Sequence, residues 1–120
     1  MDRRLAGAAG EYYAARWYRQ QGYEIARTNY RTRMGEIDLI LHKKDLLVFC
    51  EVKLRAPGAQ VSGREAVDRP KQLRLQRAAA AYLAELGREP SVRFDVAEVT
   101  PDRDGYRVTV LENAFEAALF

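Results

Sequence analysis

Two periods alternate along the chain. From Leu5 to Gln21, alanines and other good helix formers dominate. Leu5, Ala8, Ala9, Tyr12, Ala15 and Tyr18 recur at helical spacing, and Gly22 supplies a stop, so the pattern predicts a first helix. Tyr23–Asn29 reads as a strand with Tyr23 and Ile25 apolar. A polar, basic connection follows, from Asn29 to Gly35. Ile37–Leu41 and Leu46–Leu54 are short, apolar and β-branched, with polar residues between them, which predicts two strands of a hairpin. Arg55–Arg69 contains Pro57, Gly58 and Gly63 and reads as a long surface loop. Within it Ser62-Gly63-Arg64-Glu65 matches a capping box.

A second helix is expected from Pro70 to Leu86, with Asp68 as N-cap, Gly87 as stop, and Leu73, Ala79, Tyr82, Leu83 and Leu86 facing the sheet. Ser91–Val99 and Tyr106–Leu111 alternate as two further strands. Val92, Phe94 and Val96 share one face of the first, and Arg93, Asp95 and Ala97 the other. Asn113 is expected to cap a short terminal helix running to Phe120. About five strands and two or three helices predict an α/β architecture. With 120 residues and 48% hydrophobic content the chain is expected to form one domain, residues 1–120, that buries a core without staples.

The hairpin carries charge where its pattern calls for core. Asp38 interrupts Ile37, Leu39, Ile40 and Leu41, and Glu51 and Lys53 sit in the apolar run that ends at Leu54. Buried charges are costly unless paired or metal-bound. A hairpin turning at Lys44-Asp45 sets Asp38 across from Glu51, with Lys53 on the same face. Carboxylates so placed, roughly 5 Å apart at Cβ, repel unless positive charge lies between them. A divalent cation and Lys53 would supply it. A turn of odd length would separate them.

Net charge is +3 with an isoelectric point near 9.2, and most of the positive charge is arginine. Arginine suits phosphate, so nucleic acid is a candidate partner, although solvated arginine explains the charge equally well. Arg31 and Arg33 lie close to the hairpin in sequence. Lys71 stands in the first turn of the second helix, where a cation opposes the helix dipole, which favours an external anion as its reason. Glu11, on the first helix, reads by itself as a solvated charge. The lone His42 has no assigned role, and the lone Cys50 reads as a small core residue, which excludes an internal disulfide. No stretch approaches a membrane span and no signal core follows Met1, so a cytoplasmic protein without membrane contact is expected.

Asp38, Glu51 and Lys53 suit metal-assisted phosphodiester hydrolysis. Mg²⁺ takes oxygen ligands and keeps several waters, so two carboxylates and a main-chain carbonyl near Val52 suffice. Zinc is disfavoured, because no Cys/His cluster exists. Neither a Ser/His/Asp arrangement nor a Walker-type glycine loop is present. The competing account is a structural ion pair between Lys53 and the carboxylates.

Several short motifs follow one another in a family's order. They are Gly10-Glu11, Ala14-Ala15, Gly22-Tyr23, Asn29-Tyr30-Arg31, Gly35-Glu36-Ile37-Asp38-Leu39-Ile40, Val48 through Arg55, Lys71 with Leu73, and Arg93-Phe94-Asp95-Val96. Together the chain resembles the YraN family, bacterial proteins similar to the PD-(D/E)XK nuclease superfamily and to archaeal-type Holliday junction resolvases. The resemblance implies a restriction-endonuclease-like mixed β-sheet flanked by helices. It implies Asp38 and Glu51 as metal-binding acids, Lys53 as the catalytic lysine and Glu11 as an additional acid. Cys50 and Leu54 depart from the family's usual aliphatic residue and threonine.

The resulting expectation is an endonuclease acting on DNA, branched DNA included, with Mg²⁺ or substituting Mn²⁺ and a homodimer where two strands are cut. Arg31, Arg33, Arg55 and Lys71 are the candidate phosphate contacts. The rival readings are a non-catalytic nucleic-acid-binding module that keeps the fold, and an interaction subunit that binds a protein through its helices.

Overall fold

A computed structural model describes residues 3–56 and 67–116, with side chains in the first helix described from Ala8 onward. Its elements are α1 (Arg3–Gln20), β1 (Glu24–Arg31), β2 (Glu36–Lys43), β3 (Leu46–Leu54), α2 (Arg69–Leu86), β4 (Ser91–Asp102) and β5 (Gly105–Leu111). The strands form one mixed sheet in the order β1-β2-β3-β4-β5. Only β3 and β4 run parallel, joined by the crossover through α2; the other pairs are antiparallel. A five-stranded mixed sheet with a helix on each face is consistent with the restriction-endonuclease-like class.

Parallel strands covered on both faces read as continuous apolar runs, and β3 is buried from Leu47 through Glu51. On one face Ile40, Leu47, Phe49, Phe94 and Val96 meet Leu75, Ala78 and Ala79 of α2. On the other, Leu39, Leu41, Val48, Cys50, Ala97 and Val99 meet Ala14, Ala15 and Tyr18 of α1. The three residues of β4 expected on one face, Val92, Phe94 and Val96, all pack on the α2 side.

The helix stripes follow the expected ones in part. Among the described side chains of α1, Gly10, Ala14 and the expected Ala15 and Tyr18 are buried, while Tyr12 is 57% exposed; Leu5 lies outside the described side chains. An alanine-rich helix is apolar on several sides, and here the side carrying Ala14, Ala15 and Tyr18 packs on the sheet, with Gly10 close to Val52 and Leu54 of β3. In α2 the expected Ala79, Tyr82, Leu83 and Leu86 pack on the sheet, with Leu75 and Ala78 joining the core in place of Leu73. The helix ends are as expected. Asp68 accepts from the Lys71 N–H at 3.0 Å, and Gly87 closes the helix in a left-handed conformation, φ 72°.

Strand β1 runs on to Arg31, beyond the expected boundary, because its pairing with β2 continues to Glu36. In the expected surface loop, Val67 is instead buried in the α2-side core. The Ser62–Glu65 capping box lies outside the described residues. Beyond β5, residues 112–116 form turns rather than the expected helix, and Asn113 takes φ 53°. The remainder of that helix, from residue 117, lies outside the described residues.

Candidate active site

The site forms where β2 begins, β3 ends and α2 starts. This is the carboxyl end of the parallel β3/β4 pair, the usual place for ligands in α/β sheets. The hairpin pairs Lys43 with Leu46 through Leu39 with Cys50, so the next step of the register brings Asp38 across from Glu51. The turn works without glycine because Lys44 takes φ 56°. Asp38 and Glu51 both line a cavity of about 220 Å³, together with Gly35, Glu36, Lys71, Arg74 and Leu75.

One Asp38 oxygen, Oδ2, accepts the Val52 N–H at 2.8 Å. Burial and the Glu51 charge push the Asp38 carboxyl up to about 7, against the stabilising Val52 N–H; Glu11 and Glu36 add to the repulsion. Glu51 is 7% exposed and meets two ammonium groups. Lys71 Nζ lies 2.6 Å from its Oε1, and Lys53 Nζ lies 3.4 Å from the same atom. The two lysines shift in opposite directions. Burial and the adjacent Lys71 lower Lys53; for Lys71 burial acts the same way, but the hydrogen bonds to Glu51 and Lys53 and the Glu51 and Asp38 charges together outweigh it, and the net shift is upward.

The strand geometry around Asp38 is irregular. Ile37 packs on the α2 side, yet Leu39 packs on the α1 side, although residues two apart normally share a face. In β1, between the Tyr30–Ile37 and Thr28–Leu39 pairs, Asn29 adopts φ 50°. Asparagine tolerates this conformation better than most residues. Its Nδ2 donates to Glu11 Oε2 at 2.9 Å. Glu11 is thereby held on the α1 side of the sheet, close enough to act electrostatically on Asp38.

Gly35 is the other local requirement. A Cβ there would come within 2.9 Å of the Arg74 carbonyl oxygen. Its absence lets the β1–β2 turn press against α2, and this brings Lys71 and Arg74 to the cavity beside Asp38.

The expected site residues therefore separate into groups. Asp38, Glu51, Lys53 and Lys71 come together. Glu11 lies nearby, engaged by Asn29. Arg31 is exposed and pairs with Glu36 at 3.3 Å, and Arg33 is exposed in the following turn. Arg55 is half-buried just beyond β3, its N–H bonded to the Val99 carbonyl at 2.9 Å. Its Nε is buried with no hydrogen-bond partner among the described residues. Arg74 was not among the residues expected here, although its position three residues after Lys71 puts it on the same side of α2. His42 lies 3.1 Å from Glu24 at the surface, away from these groups.

The donor set suits Mg²⁺ or Mn²⁺ and not zinc: two carboxylates on facing strands, with water completing the shell. The described residues contain no group of three or more His, Cys, Asp or Glu side chains placed to hold a metal. No described helix is long and apolar enough to cross a membrane.

Comparison with known sequences matches residues 10–99 to the family model described as "Uncharacterised protein family UPF0102". The chain belongs to the UPF0102 (YraN) family. A UPF0102 protein of Symbiobacterium thermophilum is 49% identical over 119 residues, covering 98% of this chain and all of that protein. One of Alkaliphilus oremlandii is 42% identical over 112 residues, covering 91% of this chain and 96% of the relative. One of Agrobacterium fabrum is 46% identical over 100 residues, covering 81% and 80%. The stretch matched to the UPF0102 model contains Glu11, Asp38, Glu51, Lys53, Lys71 and Arg74.

Proposed function

We propose that this UPF0102 protein is a metal-dependent endonuclease that hydrolyses DNA phosphodiester bonds. The observation that carries the reading is the pair of facing carboxylates, Asp38 and Glu51, lining an open cavity with Lys71 and Arg74. Glu51 is paired with Lys71 and Lys53, whereas among the described residues the one donor to Asp38 is the Val52 N–H. Here Asp38 faces a second negative charge.

Asp38 and Glu51 would hold Mg²⁺, or Mn²⁺ in its place. When bound, the ion supplies Lewis-acid polarisation of the phosphate and lowers the proton affinity of a water. The chain's own groups do the rest. Val52 N–H fixes the orientation of the Asp38 carboxylate. Lys53 donates to the attacking water or to a non-bridging phosphate oxygen, where charge builds up. Arg74 and Lys71 bind the flanking phosphate. A water oxygen–phosphorus bond forms, a phosphorus–ester oxygen bond breaks, and the departing oxygen takes up a proton.

The partner in this reading is DNA, the setting the cytoplasm. Cutting both strands of a branched substrate requires a homodimer, since each chain carries one site. A second reading, a non-catalytic nucleic-acid-binding module, draws on one observation: no third acid joins Asp38 and Glu51 among the described residues.

The test is cleavage of labelled duplex, single-stranded, flap and four-way-junction DNA with Mg²⁺ or Mn²⁺. Wild type should cut at least one of these, and Glu51→Gln and Asp38→Asn should cut at least about 100-fold more slowly. Binding without turnover in all three proteins would instead identify the module.

A further inference from the structure

Lys71 occupies an unusual position for a phosphate ligand. Its ammonium is spent on Glu51, at 2.6 Å, closer than the 3.4 Å of Lys53. It belongs to α2, whereas Lys53 lies on the same strand as Glu51, two residues away. It also sits in the first turn of an 18-residue helix that has no acidic residue there. A cation at that end opposes the helix dipole. Asp68 already caps the helix through the Lys71 N–H, so the backbone does not need the side chain. Lys71 is thus held at Glu51 by the carboxylate alone, and it points into a cavity that it shares with Arg74, one turn further along the helix.

We propose that Lys71 is a resident cation of this site, occupying Glu51 until a divalent metal displaces it and then turning to the DNA phosphate beside Arg74. This rests on the metal-dependent reading above and adds the order of events: metal and Lys71 compete for Glu51, while metal and DNA assist each other. An ammonium at 2.6 Å and a divalent ion cannot share one carboxylate oxygen without strong repulsion. The displaced side chain then meets the positive end of α2 and Arg74, where only an anion relieves the accumulated charge. Free of metal, Glu51 is neutralised from within by Lys71 and Lys53, while Asp38 keeps its single backbone donor.

The experiment is Mn²⁺ binding followed by electron paramagnetic resonance and calorimetry, on wild type, Lys71→Ala and Lys71→Gln, each checked for folding by circular dichroism. Removing a competing charge should tighten Mn²⁺ binding by roughly tenfold in both variants, about 1.4 kcal/mol. The same variants should bind a four-way junction more weakly in the presence of Ca²⁺, with a salt dependence shallower by about one phosphate contact. If Lys71 instead serves to hold Glu51 in place, Mn²⁺ binding will be unchanged or weaker in both variants, and the proposal is overturned. Asp38→Asn and Glu51→Gln separate this failure from a deeper one. Where they abolish Mn²⁺ binding but the Lys71 variants do not tighten it, only the exchange is wrong. Where they bind Mn²⁺ as wild type does, or wild type binds none, the metal site itself is wrong and the exchange falls with it.

Discussion

On the α1 side of the sheet, Asp95 is 1% exposed and every lone pair it turns inward is used. Oδ2 accepts from the Tyr18 hydroxyl at 2.6 Å and from Arg93 Nη2 at 2.9 Å; Oδ1 accepts from Arg93 Nε at 2.8 Å and the Asn113 N–H at 3.0 Å. Arg93 also reaches the Tyr23 hydroxyl, at 3.0 Å. On the α2 side, Asp38 accepts one backbone N–H and faces Glu51. Both are strand carboxylates in the same sheet, Asp95 buried and Asp38 half-buried. The first joins α1, β4 and the chain after β5 through a closed set of charge-assisted bonds. The second stands half-buried next to a like charge, beside an open cavity. A buried carboxylate with a full complement of donors is structural, and one left with repulsion and space is ready for a ligand.

Removing each acid should separate the two. Asp95→Ala strands the Arg93 charge and the Tyr18 hydroxyl, so it should cost about 3–5 kcal/mol in denaturant unfolding. Asp38→Asn should leave the metal-free protein as stable as wild type or more so at pH 8. A large loss there would make Asp38 structural and erase the contrast.

The next largest effect is in pH. The Asp38 carboxyl is raised in the folded state, from 3.8 to about 7. The folded protein therefore binds more protons than the unfolded chain between about pH 4 and 7. The stabilising contribution is fully present below pH 4 and is lost as pH rises through about 7. The full shift corresponds to up to about 4 kcal/mol. Unfolding midpoints of metal-free wild type against Asp38→Asn should converge at low pH and diverge toward pH 8, with the variant the more stable. Equal slopes for the two proteins would rule out Asp38 as the source.

Smaller effects sharpen the comparison. Tyr18→Phe removes one bond to a buried carboxylate and should cost about 1.5–3 kcal/mol without altering Mn²⁺ binding. Burial, with Cys50 and Asp95 nearby, pushes the Tyr18 hydroxyl far above its usual range, so it stays protonated and donates to Asp95. Gly35→Ala should do the reverse, moving α2 at Arg74 and weakening DNA binding more than stability. Arg31→Ala breaks an exposed pair with Glu36 and should change stability by less than about 1 kcal/mol. A larger loss would place Arg31 in the fold rather than at the DNA.

Much of this was set by the sequence alone. The β2–β3 register was legible once the turn was taken as even at Lys44-Asp45, which gives the observed pairing; a turn of odd length would have moved Asp38 and Glu51 to opposite faces. That register carries Asp38 to Glu51 and puts Lys53 on their face. The caps of α2 were legible in Asp68 and Gly87, because capping is local chemistry. The helix faces were legible in part. Ala15 and Tyr18 of α1 and Ala79, Tyr82, Leu83 and Leu86 of α2 pack as expected, but alanine-rich α1 offers several apolar sides and packing on the sheet turned Tyr12 outward; packing likewise chose Leu75 over Leu73. Three features depended on contacts between distant segments, which no local pattern carries: the attachment of Lys71 to Glu51, the pressing of Gly35 on Arg74, and the closure of Asp95 by Tyr18, Arg93 and Asn113. The tertiary structure alone decided which buried charges were satisfied, because partners from four elements had to arrive together in space.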